Sequence, residues 1–338
     1  MIKSRIGALK PIDRVILILL PLATGFVSLA VGRFPLSLAD IAQSIAGKLG
    51  AEVTANTQVE QILWSMRFPR MLLALLVGAG LSASGCAFQS LFANPLATPD
   101  TLGVASGASF GAAAAILLGF GLAGVQGAAL ATGLLAVALT YLSGRGREGT
   151  NTIVLAGIMI GSLFTALVSL VKFTADTESE LPAITYWLMG SLNGKGYDTL
   201  AIGAPLILAG LAALYLLRWR MNLLPLPEDE ARATGTNIRA LRVVTILSAT
   251  GMTAACVSMC GQVGWVGLLV PHICRMKYGS NHLSLIPASI SIGAAFMVAV
   301  DTFARTATAA EIPISILTAI LGAPFFILLM RKKGGWKL

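Results

Sequence analysis

The sequence predicts an all-α integral membrane protein with about ten transmembrane helices. Of its 338 residues, 56% are hydrophobic and only 12% are charged, with a mean hydropathy of +0.82. A soluble domain carries about 25% charged residues, because it needs a wetted surface. The apolar residues form continuous runs, whereas a membrane β-barrel would alternate apolar and polar positions. These observations favour a helical bundle that spans the bilayer many times.

Ten apolar segments follow one another along the chain. The run at 62–90 is longer than the roughly 20 residues that a span needs, and the run at 263–274 is shorter. The first segment resembles a signal peptide but lacks a cleavage site, so we expect an uncleaved span. The peptide at 182–190 predicts a helix at the outer interface, anchored by Tyr186 and Trp187. The remaining segments are 15–32, 103–120, 124–143, 152–173, 198–217, 241–259, 284–303 and 312–330.

The basic residues predict the orientation. With ten spans and both termini in the cytoplasm, 17 of the 24 Lys and Arg residues lie on the cytoplasmic side. This bias agrees with the positive-inside rule, and it accounts for the net charge of +9 without a nucleic-acid partner. Arg67, Arg70 and Arg305 then fall on the outer side, against the trend, and need a separate reason.

The longest polar cytoplasmic stretch is "LRWRMNLLPLPEDEARATGTNIRALR", residues 217–242. It predicts a short helix over about 227–234, with acidic residues in its first turn and Gly235 as its C-terminal cap. From composition alone, this helix is either a solvated connector or a docking surface for a cytoplasmic partner.

The cysteines and histidines favour structural roles over a metal site. Cys256 and Cys260 are one helical turn apart, but cysteines in apolar runs are more often small packing residues. His272 and His282 lack a second ligand at a suitable spacing, so we expect His272 in "VPH" to bond a broken helix backbone. We therefore predict no metal ligands, and Cys86 and Cys274 form no disulfide framework.

The stretch "NPLATPDTLGVASGAS", residues 94–109, places helix-breaking residues between two spans. Irregular backbone at membrane depth persists only where protein or a water-filled cavity satisfies it. Asn94 can cap backbone, and Pro95 and Pro99 end the preceding helix. Gly103, Gly107 and Gly111 are four residues apart and form a face for close helix contact. "SGCAFQ" before this loop and "SMCGQV" before "VGLLVPH" are loosely similar, as in transporters built from internal repeats.

The chain resembles the FecCD family over nearly its whole length. "MRFPRMLLALLVGAGLSASGCAFQSLFANPLATPDTLGVASGAS" matches the family pattern R-L-P-R, G-A-x-L-x-x-S-G-x-x-x-Q and R-N-P-L-A-x-P-x-x-L-G. "GQVGWVGLLVPHICRMKYGSNH" and "VDTFARTATAAEIPISILTAILGAPFFILLMRK" resemble the two C-terminal motifs. The sequence departs from the family pattern at Ala93, in place of Arg, and at Asn281, in place of Asp.

The resemblance implies a type II ABC importer permease with ten transmembrane helices. It implies a second permease subunit, identical or paralogous, two cytoplasmic ATPase subunits and an extracytoplasmic substrate-binding protein. It also implies residue roles. The residues expected to dock the binding protein are Arg67, Arg70 and Arg305. The structural alternative for Arg305 is that it pairs with Asp301. A helix within about 226–238 is expected to couple to the ATPase through Glu230, Ala231, Arg232 and Gly235. The residues expected at the cytoplasmic gate are Thr150 and Asn151. The motif residues are Asn94, Pro95, Gly103, Pro271, His272 and Asp301.

The resulting hypothesis is a single permease domain, residues 1–338, in a bacterial or archaeal cytoplasmic membrane. It would import a metal chelate of the iron-siderophore, haem or cobalamin class. Other cargo, such as free metal or an oxyanion, is the alternative. The chain has no phosphate-binding loop, so ATP and Mg²⁺ would bind the partner ATPase, and no catalytic residue or cofactor is expected here. A stand-alone secondary transporter would need charges within its spans, and the middles of these segments carry almost none.

Overall fold

The structure is a computed structural model that describes residues 9–50, 56–144 and 150–331. Within these ranges the chain forms fourteen α-helices and no strands. A π-helical segment, Gln61–Arg67, joins α3 to α4, and short 3-10 turns lie at Pro99–Leu102 and Arg220–Leu223. The helices are α1 (Pro11–Ala30), α2 (Leu38–Lys48), α3 (Thr57–Glu60), α4 (Phe68–Leu91), α5 (Val104–Leu117), α6 (Leu122–Ser143), α7 (Thr150–Thr174), α8 (Glu180–Leu188), α9 (Tyr197–Leu217), α10 (Glu228–Ala233), α11 (Ile238–Cys260), α12 (Val266–Tyr278), α13 (His282–Ala307) and α14 (Ile314–Arg331).

The predicted ten segments correspond to ten helices in the described residues. Seven are long and apolar enough to cross a membrane, and α5 and α14 are shorter apolar helices. The long segment at 62–90 is the continuous run Thr57–Leu91 of 35 residues. The short segment at 263–274 becomes α12, which begins only at Val266 because Gly261 and Trp265 have positive φ. The amphipathic α2 was not predicted, since it is too short and too polar to resemble a span.

Helices α4 and α13 run antiparallel and fix the two ends of the bundle. At one end Arg70 of α4 meets Asp301 of α13, and at the other Ser90 of α4 meets His282 of α13. We call these the Asp301 end and the His282 end. Helix α1 runs parallel to α13, because Leu17 contacts Ser291 and Ser28 contacts Arg305. The other helices are described by the same two ends of the bundle.

Helix α4 is the centre of the bundle, with 78% of its spanning window buried. It packs on α13, α11, α12 and α9. Lipid gives no hydrophobic drive for helix association, so small residues that allow close backbone contact take its place. A methyl group added at Gly78 would lie 2.8 Å from the carbonyl carbon of Gly293 on α13. One added at Gly85 would lie 2.6 Å from the Cα of Gly267 on α12.

Two prolines within spans leave backbone carbonyls that neighbouring helices cover. Pro21 has no N–H for the carbonyl of Leu17, and the hydroxyl of Ser291 donates to that oxygen instead. Pro271 likewise cannot bond the carbonyl of Gly267, and the backbone of Gly85 lies directly against it. Polar backbone groups at membrane depth have to be satisfied inside the protein. The Ser291 hydroxyl meets this demand for Leu17, whereas Gly85 packs against the Gly267 carbonyl and keeps lipid away from it.

Candidate functional site

The loop at 94–103 satisfies its own polar groups with short side chains. The Asn94 carboxamide accepts from the N–H of Leu96 at 2.9 Å, and Thr98 and Thr101 bond each other's backbone. The carboxylate of Asp100 accepts from the N–H of Ala105 at 3.1 Å, in the first turn of α5. Gly103 has φ +74°, a conformation that suits glycine, and the next residue starts α5. The helix-breaking residues therefore build a tight turn, as predicted.

The prediction that Pro95 and Pro99 end the helix is wrong in detail, because Pro95 comes four residues after the last residue of α4 and Pro99 begins the 3-10 turn Pro99–Leu102. That helix stops at Leu91, and Ala93 takes a positive φ of 46°, so the helix has already ended before Pro95. The predicted packing face of the glycines is confirmed: a side chain at Gly107 or Gly111 would overlap α6 near Thr132.

Two cavities flank this loop, and Asp100 lines both. One cavity, of about 290 Å³, is lined in part by the turn before α12, including Gly264 and Trp265. The other, of about 370 Å³, lies against α7 beside Gly157 and Gly161. Helix α7 is among the least buried spans, with 22% of its window buried. Asp100 was missed at the sequence level, since it stands at a variable position of the loop motif.

At the Asp301 end, Arg70 lies between two carboxylates. Its Nε and Nη2 donate to Asp301 at 2.9–3.1 Å, and Nη1 and Nη2 donate to Glu311 at 3.2 and 3.0 Å. The Asp301 side chain is only 2% exposed. Charge-assisted, two-pronged bonds of this kind fix geometry as well as adding energy. Arg70 thereby ties α4 to α13 and to the loop before α14.

The other two predicted docking arginines, Arg67 and Arg305, donate hydrogen bonds to backbone carbonyls near the C-terminal end of α1. Arg67 is 8% exposed and donates to the carbonyls of Leu29, Ala30 and Phe34, at and just after the end of α1. Arg305 donates to the carbonyl and hydroxyl of Ser28, also near that end. A cation beside the last carbonyls of a helix is favourable for the helix dipole. The predicted pairing of Arg305 with Asp301 is a long contact of 3.9 Å, so the main partner of Asp301 is Arg70.

Ion pairs join Arg70, Arg305, Asp301 and Glu311, and we call these four side chains, together with Arg67 at the same end of α1 as Arg305, the arginine network. The contribution of Glu311 was missed, although it stands in the quoted C-terminal motif. The geometry predicts that reversing the charge of Arg67 would disturb the fold. A carboxylate in place of Arg67 would face three carbonyl oxygens in a buried position. Docking of a partner on these arginines stays a prediction.

The predicted coupling helix is α10, which spans Glu228–Ala233. Ala231 is fully buried and the hydroxyl of Thr234 donates to its carbonyl at 2.7 Å, so Ala231 anchors α10 on the bundle. Glu230 is exposed. Gly235 has φ +74°, which confirms the predicted left-handed cap. The side chains of Arg232 and of the predicted gate residues Thr150 and Asn151 lie outside the part of the chain that is described, although α7 does begin at Thr150.

At the His282 end, His282 is a structural node. Its Nδ1 and its backbone N–H contact the Asn222 carboxamide at 2.9 and 3.0 Å, and its Nε2 contacts the hydroxyl of Ser90. Nearby, Arg275 donates to Gln89 at 2.8 Å. His272, just after Pro271, packs its ring against Phe325 and Phe326 on α14.

The expected absence of metal ligands concerns His272, His282 and the four cysteines. In the described ranges no group of three or more His, Cys, Asp or Glu side chains is arranged to hold a metal ion. Cys86, Cys256, Cys260 and Cys274 are buried and unpaired. The thiol of Cys260 donates to the carbonyl of Cys256 one turn earlier, as a helix-packing residue does.

Comparison with known proteins gives matches over nearly the whole chain. The model of the FecCD transport family matches residues 18–332. The molybdate import system permease MolB of Haemophilus influenzae is 41% identical over 323 residues, covering 94% of this chain and 96% of that protein. The cobalamin import system permease BtuC of Halobacterium salinarum is 38% identical over 313 residues, covering 92% and 83%.

A solved structure has a similar fold over nearly the whole chain. It is described as an inward-facing conformation of an ABC transporter of the metal-chelate type. Its chain is 40% identical, with a TM-score of 0.86, and the match covers 96% of this chain and 100% of that one. The ten-helix arrangement predicted from the sequence is therefore that of an ABC transporter permease.

The arginine network should make a large contribution to stability. We expect Asp301→Asn to lower the free energy of unfolding by about 3 kcal/mol, because it leaves the buried Arg70 with one anionic partner. The double variant with Arg70→Gln should cost less than the sum of the single variants, since both buried charges are then removed. Thermal unfolding in detergent measures both, with Asp198→Asn, an exposed acid at the same end, as control. Equal stability of Asp301→Asn and the control would contradict the assignment.

Proposed function

The chain belongs to the FecCD transport family, and from this premise we propose that it is the permease of an ABC importer for metal chelates. The single observation that carries the cargo class is the match, over 96% of this chain, to a transporter of the metal-chelate type. The membrane-spanning role is shared by the whole family. The chemistry of ATP hydrolysis belongs to separate subunits, which would bind ATP and Mg²⁺.

The walls of the two cavities support a chelate rather than a bare anion. Threonine and serine hydroxyls, glycines and apolar side chains line them, together with the carboxylate of Asp100. No Lys or Arg is among the described residues that line either cavity. A small oxyanion would meet a carboxylate there without a compensating cation. A large, mostly organic chelate needs shape and scattered hydrogen bonds instead.

Molybdate is the second candidate cargo. One observation favours it: the relative that is 41% identical over 94% of this chain is a molybdate permease. A permease can pass an oxyanion without holding it tightly if the binding protein supplies the specificity. The cargo is therefore tested with both classes side by side.

The assembly that we propose has two permease subunits, two ATPase subunits and a binding protein. The His282 end would face the cytoplasm, because Arg218, Arg239, Arg275 and Lys277 lie there, which agrees with the positive-inside rule. The Asp301 end would then face outward and receive the binding protein. Helix α10 would contact the ATPase through its exposed residues, and Thr150 and Asn151 would stand at the cytoplasmic gate.

Uptake by cells that lack this gene tests the cargo. We expect deletion to abolish uptake of one radiolabelled chelate from a panel of a siderophore–iron complex, haemin and cobalamin, while molybdate uptake persists. The intact gene should restore uptake, and a copy of the complex with an inactivated ATPase should not. Loss of molybdate uptake alone would select the second candidate. Uptake into vesicles by this chain without an ATPase would contradict the importer assignment itself.

Docking at the Asp301 end is tested with neutral variants that keep a hydrogen-bond donor. We expect Arg67→Gln and Arg305→Gln each to weaken association of the binding protein about two- to fivefold, because each removes positive charge that attracts an acidic partner to this end. Raised salt should weaken the wild type in the same way. Lys172→Gln, at the same end on α7, is the control. If affinity is insensitive both to salt and to these variants, the arginines serve structure alone.

Coupling through α10 is tested at Gly235. Its surroundings are open, so a side chain there is disfavoured only by φ, at a cost of about 1 kcal/mol. We expect Gly235→Val to lower cargo uptake per ATP hydrolysed by the complex. Gly196→Ala is the matched control, because its surroundings are also open and its φ of −129° suits any residue. Unchanged uptake and hydrolysis in Gly235→Val would refute the role.

A further inference from the structure

A groove at the His282 end separates α1 from α9, with α13 as its floor. Its volume is about 490 Å³, within the usual range of small-molecule sites. The residues that line this groove are distant in sequence from the Pro-rich loop. None of them lines either of the two cavities beside that loop. The residues on which its chemistry depends are Arg14, Leu17 and Ile18 of α1, Tyr215 of α9, Arg218 directly after α9, and Pro287 of α13.

Two arginines bring positive charge into this groove. In the described part of the chain, no carboxylate forms an ion pair with Arg14 or Arg218. The guanidinium of Arg218 lies 3.9 Å from the centre of the Tyr215 ring and donates to the Tyr215 carbonyl. This arrangement holds the guanidinium in place and leaves it other N–H donors. Two unpaired guanidinium groups on one groove suit a phosphate group, which accepts bonds from both.

The rest of the groove is apolar. Ile18 is 63% exposed and stands one turn further into α1 than Arg14, in the direction of the bilayer centre. Leu17 and Pro287 continue the same wall. The site therefore has a cationic end at the level of the helix ends and an apolar side within the span. A ligand that matches both parts is anionic at one end and a hydrocarbon chain at the other.

We propose that this groove binds an anionic phospholipid of the leaflet at the His282 end. The phosphate group contacts Arg14 and Arg218, and an acyl chain lies along Ile18 and Pro287. Basic pockets between transmembrane helices are a recurring way to hold such headgroups. The lipid joins α1, only 22% of whose window is buried, to α9, which leads into the stretch that carries α10. An anionic lipid thereby stabilises the position of a peripheral helix beside the coupling segment.

Lipid binding to the purified permease complex in a neutral detergent tests the proposal. The probes are phosphatidylglycerol, phosphatidylcholine with the same acyl chains, and inorganic phosphate. We expect only phosphatidylglycerol to raise the unfolding temperature and to remain bound in native mass spectrometry. The double variant Arg14→Gln/Arg218→Gln should weaken its binding roughly 25-fold, about fivefold for each basic residue. Stabilisation by inorganic phosphate alone would overturn the lipid assignment.

Two further variants separate the groove from general charge. Arg220→Gln removes an exposed charge two residues from Arg218 that does not line the groove, and should bind phosphatidylglycerol like the wild type. Ile18→Trp fills the apolar part without changing charge, and should weaken binding. If phosphatidylcholine binds equally well, or if Arg220→Gln loses as much affinity as the double variant, the site is not the one proposed.

Discussion

The backbone contact between Gly85 and Gly267 is the constraint on which the rest of the bundle depends. Pro271 leaves the carbonyl of Gly267 without its usual N–H partner, and only a residue without a side chain allows α4 to lie against it. In lipid, an uncovered carbonyl costs several kcal/mol, so the contact both packs α4 closely on α12 and keeps lipid away from this carbonyl. Gly78 and Gly293 give similarly close backbone packing between α4 and α13. Helix α4 can therefore stand at the centre, surrounded by four others.

The central position of α4 links the two ends of the protein. At the Asp301 end it carries Arg70, bound to two carboxylates, and at the His282 end it carries Gln89 and Ser90, bound to Arg275 and His282. These polar contacts fix the position of α4 relative to α13 at both ends and relative to α12 at the His282 end. Helices α1, α7 and α9 have the least buried spanning windows, 22% each, and so expose the most surface to lipid or to other subunits.

Much of this could be predicted from the sequence, because lipid imposes strong and simple rules. Continuous apolar runs predict ten helical segments, of which seven are helices long enough to cross a membrane, and the turn at 94–103 follows from prolines, glycines and short polar residues. The features that the sequence did not predict depend on which residues become neighbours in the folded protein. Arg67 and Arg70 stand three residues apart with similar character, yet one caps a helix end and the other joins two carboxylates. Likewise, the burial of Ala231 on the bundle depends on the neighbours of α10, which a local pattern does not specify.

The most direct measurement of the central claim is a complete set of substitutions at position 85, read out as the unfolding temperature of the purified protein in detergent. The account predicts that Gly85→Ala lowers stability by about 1–3 kcal/mol, and that Val, Leu and Phe yield no folded protein. Gly127, which has no neighbour within 4 Å of an added side chain, should accept Ala, Val and Leu with little loss. Wild-type unfolding temperatures for Gly85→Val or Gly85→Leu would contradict the account.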